Sequence, residues 1–268
     1  MAGPWRIIID GALSGIENMA RDAAVLELAE TAASPQTTLR FYQWDVPTLS
    51  LGNKQDVARA ADAAFCCANG VAIVRRPTGG GAVLHHLELT YSVVSNDRDY
   101  FPVQRILDIY LCISRALCRG LQLLGAPAAI QNHGSLAPTR TDNYIHNPYP
   151  CFSSASHYEI IVGERKIIGS AQKRLRAAFL QHGSIPYAYD WRLQAGAMGV
   201  EAAPLQAVMA AIGDFVAPIP PYADLAGAFA RGFAEEFGLA DAAPRGAFTP
   251  AELKRARALA GRFAVPSE

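Results

Sequence analysis

At 268 residues the chain is long enough to bury a full core, as one large domain or as a domain with an appendage. Its 51% hydrophobic and 18% charged residues describe a folded globular protein and exclude a disordered one. A formal net charge of zero gives no global electrostatic reason to bind nucleic acid or an anionic membrane, and neither is expected as a partner. The first ten residues lack the layout of a signal peptide and no apolar run reaches membrane-spanning length, so a cytoplasmic location is expected. The five cysteines are Cys66, Cys67, Cys112, Cys118 and Cys151. An odd count with no Cys-x-x-Cys pair argues against a disulfide framework, and His85-His86 lacks helical zinc spacing, so no metal is expected.

In chain order, the short run Ile7-Ile8-Ile9 predicts a strand over residues 5–10. A helix over 14–31 follows, with Ser14 as N-cap, Glu17 at capping-box spacing and Met19, Ala23 and Leu26 as its apolar stripe. Strands are expected over 39–44 and 48–51, around a turn at Asp45-Val46-Pro47. Residues 53–69 read as one helix stopped by Gly70. An apolar strand at 71–74 enters a glycine-rich loop, and a strand over 89–94 leaves it. A long amphipathic helix spans 103–124, ended by Gly125 and Pro127. Residues 132–150 read as irregular chain.

A β-hairpin is expected over 158–168 with Gly163-Glu164 as a two-residue type II′ turn, which sets Ile161 opposite Lys166 and Ile160 opposite Ile167. In that register Lys166 shares a face with Glu159, and a plain ion pair between them is one reading of the lysine. Residues 169–174 read as a small-residue segment with a basic end, and 177–185 as a strand. Pro218, Pro220 and Pro221 then precede two terminal helices. In the first, Leu225, Phe229, Phe233 and Phe237 recur every fourth residue and must pack against something.

Three adjacent glycines, Gly79, Gly80 and Gly81, between two strands allow positive φ and leave room for a ligand, and Arg75 and Arg76 beside them offer fixed positive charge. The pattern is neither a Walker loop nor a dinucleotide fingerprint. Cys151 stands apart from the other cysteines, since it ends the irregular stretch. An ordinary thiol, with a pKa of about 8.5, needs a nearby cation to become a nucleophile at neutral pH. Lys166, His182 and His85 are candidates to help it. A loop cysteine with no chemical role is the competing reading.

The run Arg75-Arg76-Pro77-Thr78-Gly79-Gly80-Gly81-Ala82-Val83-Leu84-His85, followed by Glu88-Leu89-Thr90-Tyr91-Ser92, resembles the signature of the biotin/lipoate A/B protein ligase superfamily. Arg165-Lys166-Ile167-Ile168-Gly169-Ser170-Ala171-Gln172 resembles its second signature, and Leu180-Gln181-His182-Gly183-Ser184-Ile185 its third. The resemblance spans about residues 5–190 in order. It implies an α+β fold, a mixed and largely antiparallel sheet flanked by helices, like the cores of class II synthetases. It also implies a catalytic domain over 1–190 and a helical C-terminal extension over 191–268 packed on it.

Within the superfamily, Pro150-Cys151-Phe152 resembles the cysteine-dependent octanoyltransferases. That likeness implies octanoyl transfer from acyl carrier protein, through a Cys151 thioester, to the lysine of a lipoyl-domain protein. Such acceptors include the glycine cleavage H protein and a 2-oxoacid dehydrogenase E2. Lys166 would hold the acyl carbonyl and lower the thiol pKa. Gly79, Gly80 and Gly81 would line an acyl tunnel with Arg76 and His85 at its mouth, and Thr78, Gly169, Ser170, Ala171 and His182 would complete the substrate site. No cofactor is implied. ATP and magnesium enter only on the alternative of a lipoate–protein ligase. Transfer between lipoyl domains and a non-catalytic acyl- or carrier-binding role are further alternatives. His86 stands where the family has an acidic residue.

Overall fold

The computed structural model describes residues 3–101, 106–132, 158–239 and 245–265. It is an α+β structure in which β1 (Trp5–Leu13), β2 (Thr37–Trp44), β6 (Glu88–Ser95), β11 (Phe179–Pro186) and β10 (Gly169–Arg174) form a five-stranded sheet in the order β1-β2-β6-β11-β10. Only β1 and β2 run parallel in it. A second sheet sets β3 (Thr48–Leu51) between β4 (Ala72–Arg75) and β5 (Val83–His85). A third pairs β7 (Ala129–Asn132) with the hairpin of β8 (Tyr158–Val162) and β9 (Arg165–Lys166). Mixed sheets with helices against them agree with the expected fold class.

Each face of the large sheet has its own helices. Phe41, Tyr91, Val93, Phe179 and Ile185 meet α4 (Ile106–Leu123) and α7 (Tyr222–Phe237) in the main apolar cluster. There Phe229 and Phe233 are fully buried, so the four-residue aromatic stripe of α7 finds its partner in α4. On the other face lies α1 (Gly15–Thr31), started by the Ser14 hydroxyl, which accepts from the Glu17 amide at 3.2 Å. The Glu17 carboxylate turns to Arg21 instead of closing the capping box. Met19, Ala23 and Leu26 are buried as expected. Asn18 and Asp22 are buried on the same helix.

Three stretches differ from expectation. Residues 53–69 form two short helices, α2 (Val57–Ala60) and α3 (Ala63–Ala68), because Asp56 and Asp62 each cap the following turn and leave extended backbone at Ala61 and Asp62. Side chains of this kind compete with helix continuation. Residues 169–174 are a strand, β10, at the edge of the large sheet, so the chain changes sheets directly after the hairpin. Its Gly, Ser and Ala residues carry little β propensity, and its pairing with β11 supplies the order. The alanine-rich stretch after Asp190 holds α5 (Trp191–Met198) and α6 (Ala202–Val208). The hairpin itself has the expected register, Ile161 opposite Lys166, with positive φ at Gly163. A final helix, α8 (Pro250–Leu259), packs against α1.

Helices α4 and α7 touch through glycine. A Cβ on Gly232 would lie 2.4 Å from the Ala116 carbonyl oxygen and 2.6 Å from the Gly120 nitrogen, both backbone atoms that cannot turn aside. Gly232→Ala is therefore expected to lower stability by about 1–3 kcal/mol despite alanine's better helix propensity. Urea denaturation checks this, and an unchanged midpoint would deny the close contact.

Candidate active site

The glycine-rich loop is built by its own arginines. Arg76 is buried and its guanidinium donates to the Gly79 carbonyl at 2.6 Å, the Gly81 carbonyl at 2.7 Å and the Ser50 carbonyl at 2.9 Å. It also donates to the hydroxyls of Thr78 at 3.1 Å and Ser50 at 3.3 Å. Arg75 donates to the Gly52 and Gln55 carbonyls, both at 2.9 Å. Both guanidiniums thus act first on the backbone, and the planar fork of Arg76 spans carbonyls that a lysine could not span together. Gly80 takes positive φ. Gly52 must be glycine, because a Cβ there would strike the Gly80 carbonyl oxygen at 2.2 Å.

Two histidines meet this loop, each backed by a carboxylate. His182, on β11, has Nε2 2.7 Å from the Thr78 hydroxyl and Nδ1 3.4 Å from Asp22 Oδ2. Asp22 also accepts from Arg40 at 2.9 Å, Tyr42 at 2.9 Å and Ser92 at 3.0 Å. Burial works to raise the Asp22 pKa, but His182 and Arg40 outweigh it and hold the carboxyl below its ordinary value. The ionised carboxylate places the imidazole proton on Nδ1, so Nε2 accepts from Thr78. Burial lowers the pKa of His182, with Asp22 opposing, so the ring is neutral at neutral pH.

His85, at the end of β5, has Nε2 2.8 Å from the Ser50 hydroxyl and Nδ1 3.0 Å from Glu88 Oε1. Its ring stacks on Trp44 with centroids 4.0 Å apart. The Thr90 hydroxyl donates to Glu88 and accepts from Trp44 Nε1 at 2.8 Å. Leu87 makes the tight reversal that brings Glu88 under His85. It takes φ +53, a strained value for leucine, and its carbonyl accepts from the amides of Tyr187 and Ala188.

A cleft of about 340 Å³, counted to its open mouth, lies where these groups converge. Arg76, Ser50, Val83 and His85 line it from the second sheet, and Met19 and Tyr42 from the α1 side. Thr90, Gly169, Ser170, Ala171, His182, Gly183 and Ser184 line it from the large sheet. The three sequence motifs therefore meet at one cavity. Six expected site residues line it: Arg76, His85, Gly169, Ser170, Ala171 and His182. Thr78 stands behind His182, and Gly79 and Gly81 hold Arg76 by their carbonyls; with Gly80 they are not among the lining residues. Lys166 is buried and lies 2.8 Å from Glu159 Oε1, the ion pair that the hairpin register allowed. Cys151 lies outside the described residues.

The resemblance takes in the early helix Asn18-Met19-Ala20-Arg21-Asp22, but sequence reasoning gave neither Asp22 nor Ser50 a role in the site. Asp22 stands at i+3 from Met19 on the buried face of α1, and a carboxylate in an apolar stripe was a readable signal. Nothing local marks Ser50, which meets His85 across 35 positions of chain. Among the described residues no group of three or more His, Cys, Asp or Glu is arranged to hold a metal ion, and no helix is long and apolar enough to cross a membrane.

The buried pair titrates in one direction. Below the ordinary imidazole value of 6.5 the unfolded chain takes up a proton that folded His182 resists, so stability falls as pH drops through that range. Below the ordinary carboxyl value of 3.8 the same holds for Asp22. The thermal midpoint is expected to decline in these two stages on acidification, and His182→Gln to flatten the first. A midpoint that rises between pH 7 and pH 5 would contradict the assignment.

The model of the lipoyl protein ligase A/B catalytic domain family matches residues 14–234. The chain is 40% identical over 245 residues to the octanoyltransferase LipM of Symbiobacterium thermophilum, covering 88% of this chain and 87% of that protein. It is also 40% identical over 184 residues to the octanoyltransferase LipM of Moorella thermoacetica, covering 69% of this chain and 65% of the relative. Among solved structures, a lipoate-protein ligase A bound with ATP superposes with a TM-score of 0.76 at 24% identity, covering 98% of this chain and 95% of that one, a likeness of fold. A bipartite lipoate protein ligase from Thermoplasma acidophilum superposes with a TM-score of 0.74 at 25% identity, covering 97% and 92%. On the family match across 14–234 and the LipM relatives, the chain belongs to the lipoyl protein ligase A/B catalytic domain family.

Proposed function

We propose that the chain is an octanoyltransferase of protein lipoylation. It takes octanoyl from acyl carrier protein as a thioester on Cys151 and passes it to the lysine of a lipoyl-domain protein. The observation that carries this reading is the convergence of all three motifs on one cleft, in a chain 40% identical to an octanoyltransferase across 88% of its length. We place the chemistry in residues 1–190, with 191–268 as a C-terminal extension whose described helices, α5 to α8, pack on that unit. No cofactor takes part.

The roles follow from elementary chemistry. An octanoyl chain offers only apolar surface and one carbonyl, so its pocket needs bare backbone and apolar walls with few polar groups. Gly169, Ala171, Gly183, Val83 and Met19 supply such walls. Thiol exchange with the carrier thioester and aminolysis both pass through a tetrahedral oxyanion, which a fixed cation stabilises before the reaction begins. Lys166, anchored by Glu159 inside the protein, is that cation, and its charge favours the Cys151 thiolate. Transfer at a site shielded from water protects the thioester from hydrolysis.

Incubation with octanoyl-acyl carrier protein, without ATP, is expected to give an adduct by intact mass that hydroxylamine removes and that Cys151→Ala abolishes. Lys166→Ala is expected to slow transfer by about 10²–10³-fold, the usual loss for an oxyanion-stabilising group. Undiminished octanoylation of the acceptor by Cys151→Ala, or pyrophosphate release with free lipoate, would replace this reading with an ATP-dependent ligase.

A further inference from the structure

We propose that Ser50, His85 and Glu88 form the proton relay that accepts the proton of the attacking amine, an assignment that rests on the octanoyltransferase reading above. The three side chains repeat the order hydroxyl, imidazole, carboxylate. Ser50 Oγ lies 2.8 Å from His85 Nε2, and His85 Nδ1 lies 3.0 Å from Glu88 Oε1. Ser50 and His85 line the cleft, and all three residues are buried. Arg76 donates to Ser50 Oγ at 3.3 Å, and the Ser50 hydroxyl in turn donates to His85. One lone pair of that oxygen remains for a proton arriving from the cleft.

The neighbouring arrangement of Thr78, His182 and Asp22 has the same order but different electrostatics. Asp22 is already neutralised by the Arg40 guanidinium and shared with Tyr42 and Ser92. It has little charge left to stabilise an imidazolium, and burial holds His182 neutral. Glu88 faces no arginine or lysine within ion-pair distance among the described residues, and its second oxygen, Oε2, is buried without a hydrogen-bond partner. Tyr187 and Tyr189 are pushed up by burial first and then by the Glu88 charge. Tyr42 feels that charge too, behind burial and Asp22. Among the described residues, these three phenols, Arg76 and His182 are the titratable and charged groups that interact with the relay. A proton on His85 would supply the cation that the buried carboxylate lacks.

The free amine of the acceptor lysine attacks the thioester carbonyl, and the nitrogen becomes positively charged in the tetrahedral intermediate. Its proton passes to Ser50 Oγ while the Ser50 proton passes to His85 Nε2. The intermediate then collapses, the C–S bond breaks and the amide remains; the departing thiolate takes a proton from solvent, and His85 gives its proton back through Ser50 to the cleft. Thiol exchange with the carrier involves no amine and does not call on the relay.

The two half-reactions separate these roles. In rapid-quench intact-mass experiments, Ser50→Ala and Glu88→Gln are expected to form the acyl-enzyme, with a loss in that step far smaller than the loss in transfer. They are expected to pass it to an apo lipoyl domain about 10²-fold more slowly, the usual range for losing a general base. His85→Gln is expected to slow the same transfer step to a similar extent. Ser50→Ala leaves the Ser50 carbonyl that Arg76 holds, so it serves as the second variant if Glu88→Gln or His85→Gln does not fold. Transfer within twofold of wild type, or equal slowing of both half-reactions, would overturn the relay. Absence of an acyl-enzyme in the wild type would be a distinct failure, removing the Cys151 reading and the relay with it.

Discussion

The site depends on a single guanidinium. Arg76 reaches from the end of β4 to carbonyls on both sides of the glycine-rich turn and to the Ser50 carbonyl on the adjacent strand. Without it, three glycines in a row would be the most mobile stretch of the loop, since each has more backbone freedom to lose than any other residue. With it, the loop is pinned against Gly52, Thr78 is presented to His182, and Ser50 is presented to His85. A charged group buried this way is costly unless its donors are met, and here backbone oxygens meet them.

The second organising feature is the charge network under α1. Arg40, on β2, pairs with Asp22 at 2.9 Å and with Asp10 at 2.8 Å, and Asn18 Oδ1 accepts from it at 2.7 Å. The pair ties helix, sheet and His182 together, so the cleft floor is a fixed polar array beneath an apolar pocket. Buried pairs of this kind are weak sources of net stability but strongly penalise the loss of one member. Their use here is geometric, because the ionised Asp22 sets the tautomer of His182.

What could be read from the sequence follows the range of the interactions. The cap at Ser14, the hairpin register about Gly163 and the aromatic stripe of α7 are local or strictly periodic, and the structure has each of them. The motifs contain ten of the thirteen cleft residues, and six of those ten were expected site residues. The helix over 53–69 failed because two aspartates offered local caps that composition alone does not weigh. Strand β10 failed because its order comes from β11, not from its own residues. The hydroxyl–histidine contacts join positions 35 and 104 apart, a pairing that only the folded chain reveals. Reading Arg75 and Arg76 as charge for a ligand overlooked the nearest acceptors available to them, the carbonyls of their own loop.

Both histidines are thus supported from behind by a carboxylate and face one guanidinium, and the family's three motifs become a single structural unit. The most direct measurement is the affinity of Arg76→Lys for an octanoyl-carrier protein analogue whose thioester sulfur is replaced by a methylene, by calorimetry. Lysine keeps the charge but cannot span the two glycine carbonyls, so the account predicts binding weaker by at least about tenfold in a protein of native secondary structure. Wild-type affinity in Arg76→Lys would contradict it, because charge alone would then suffice.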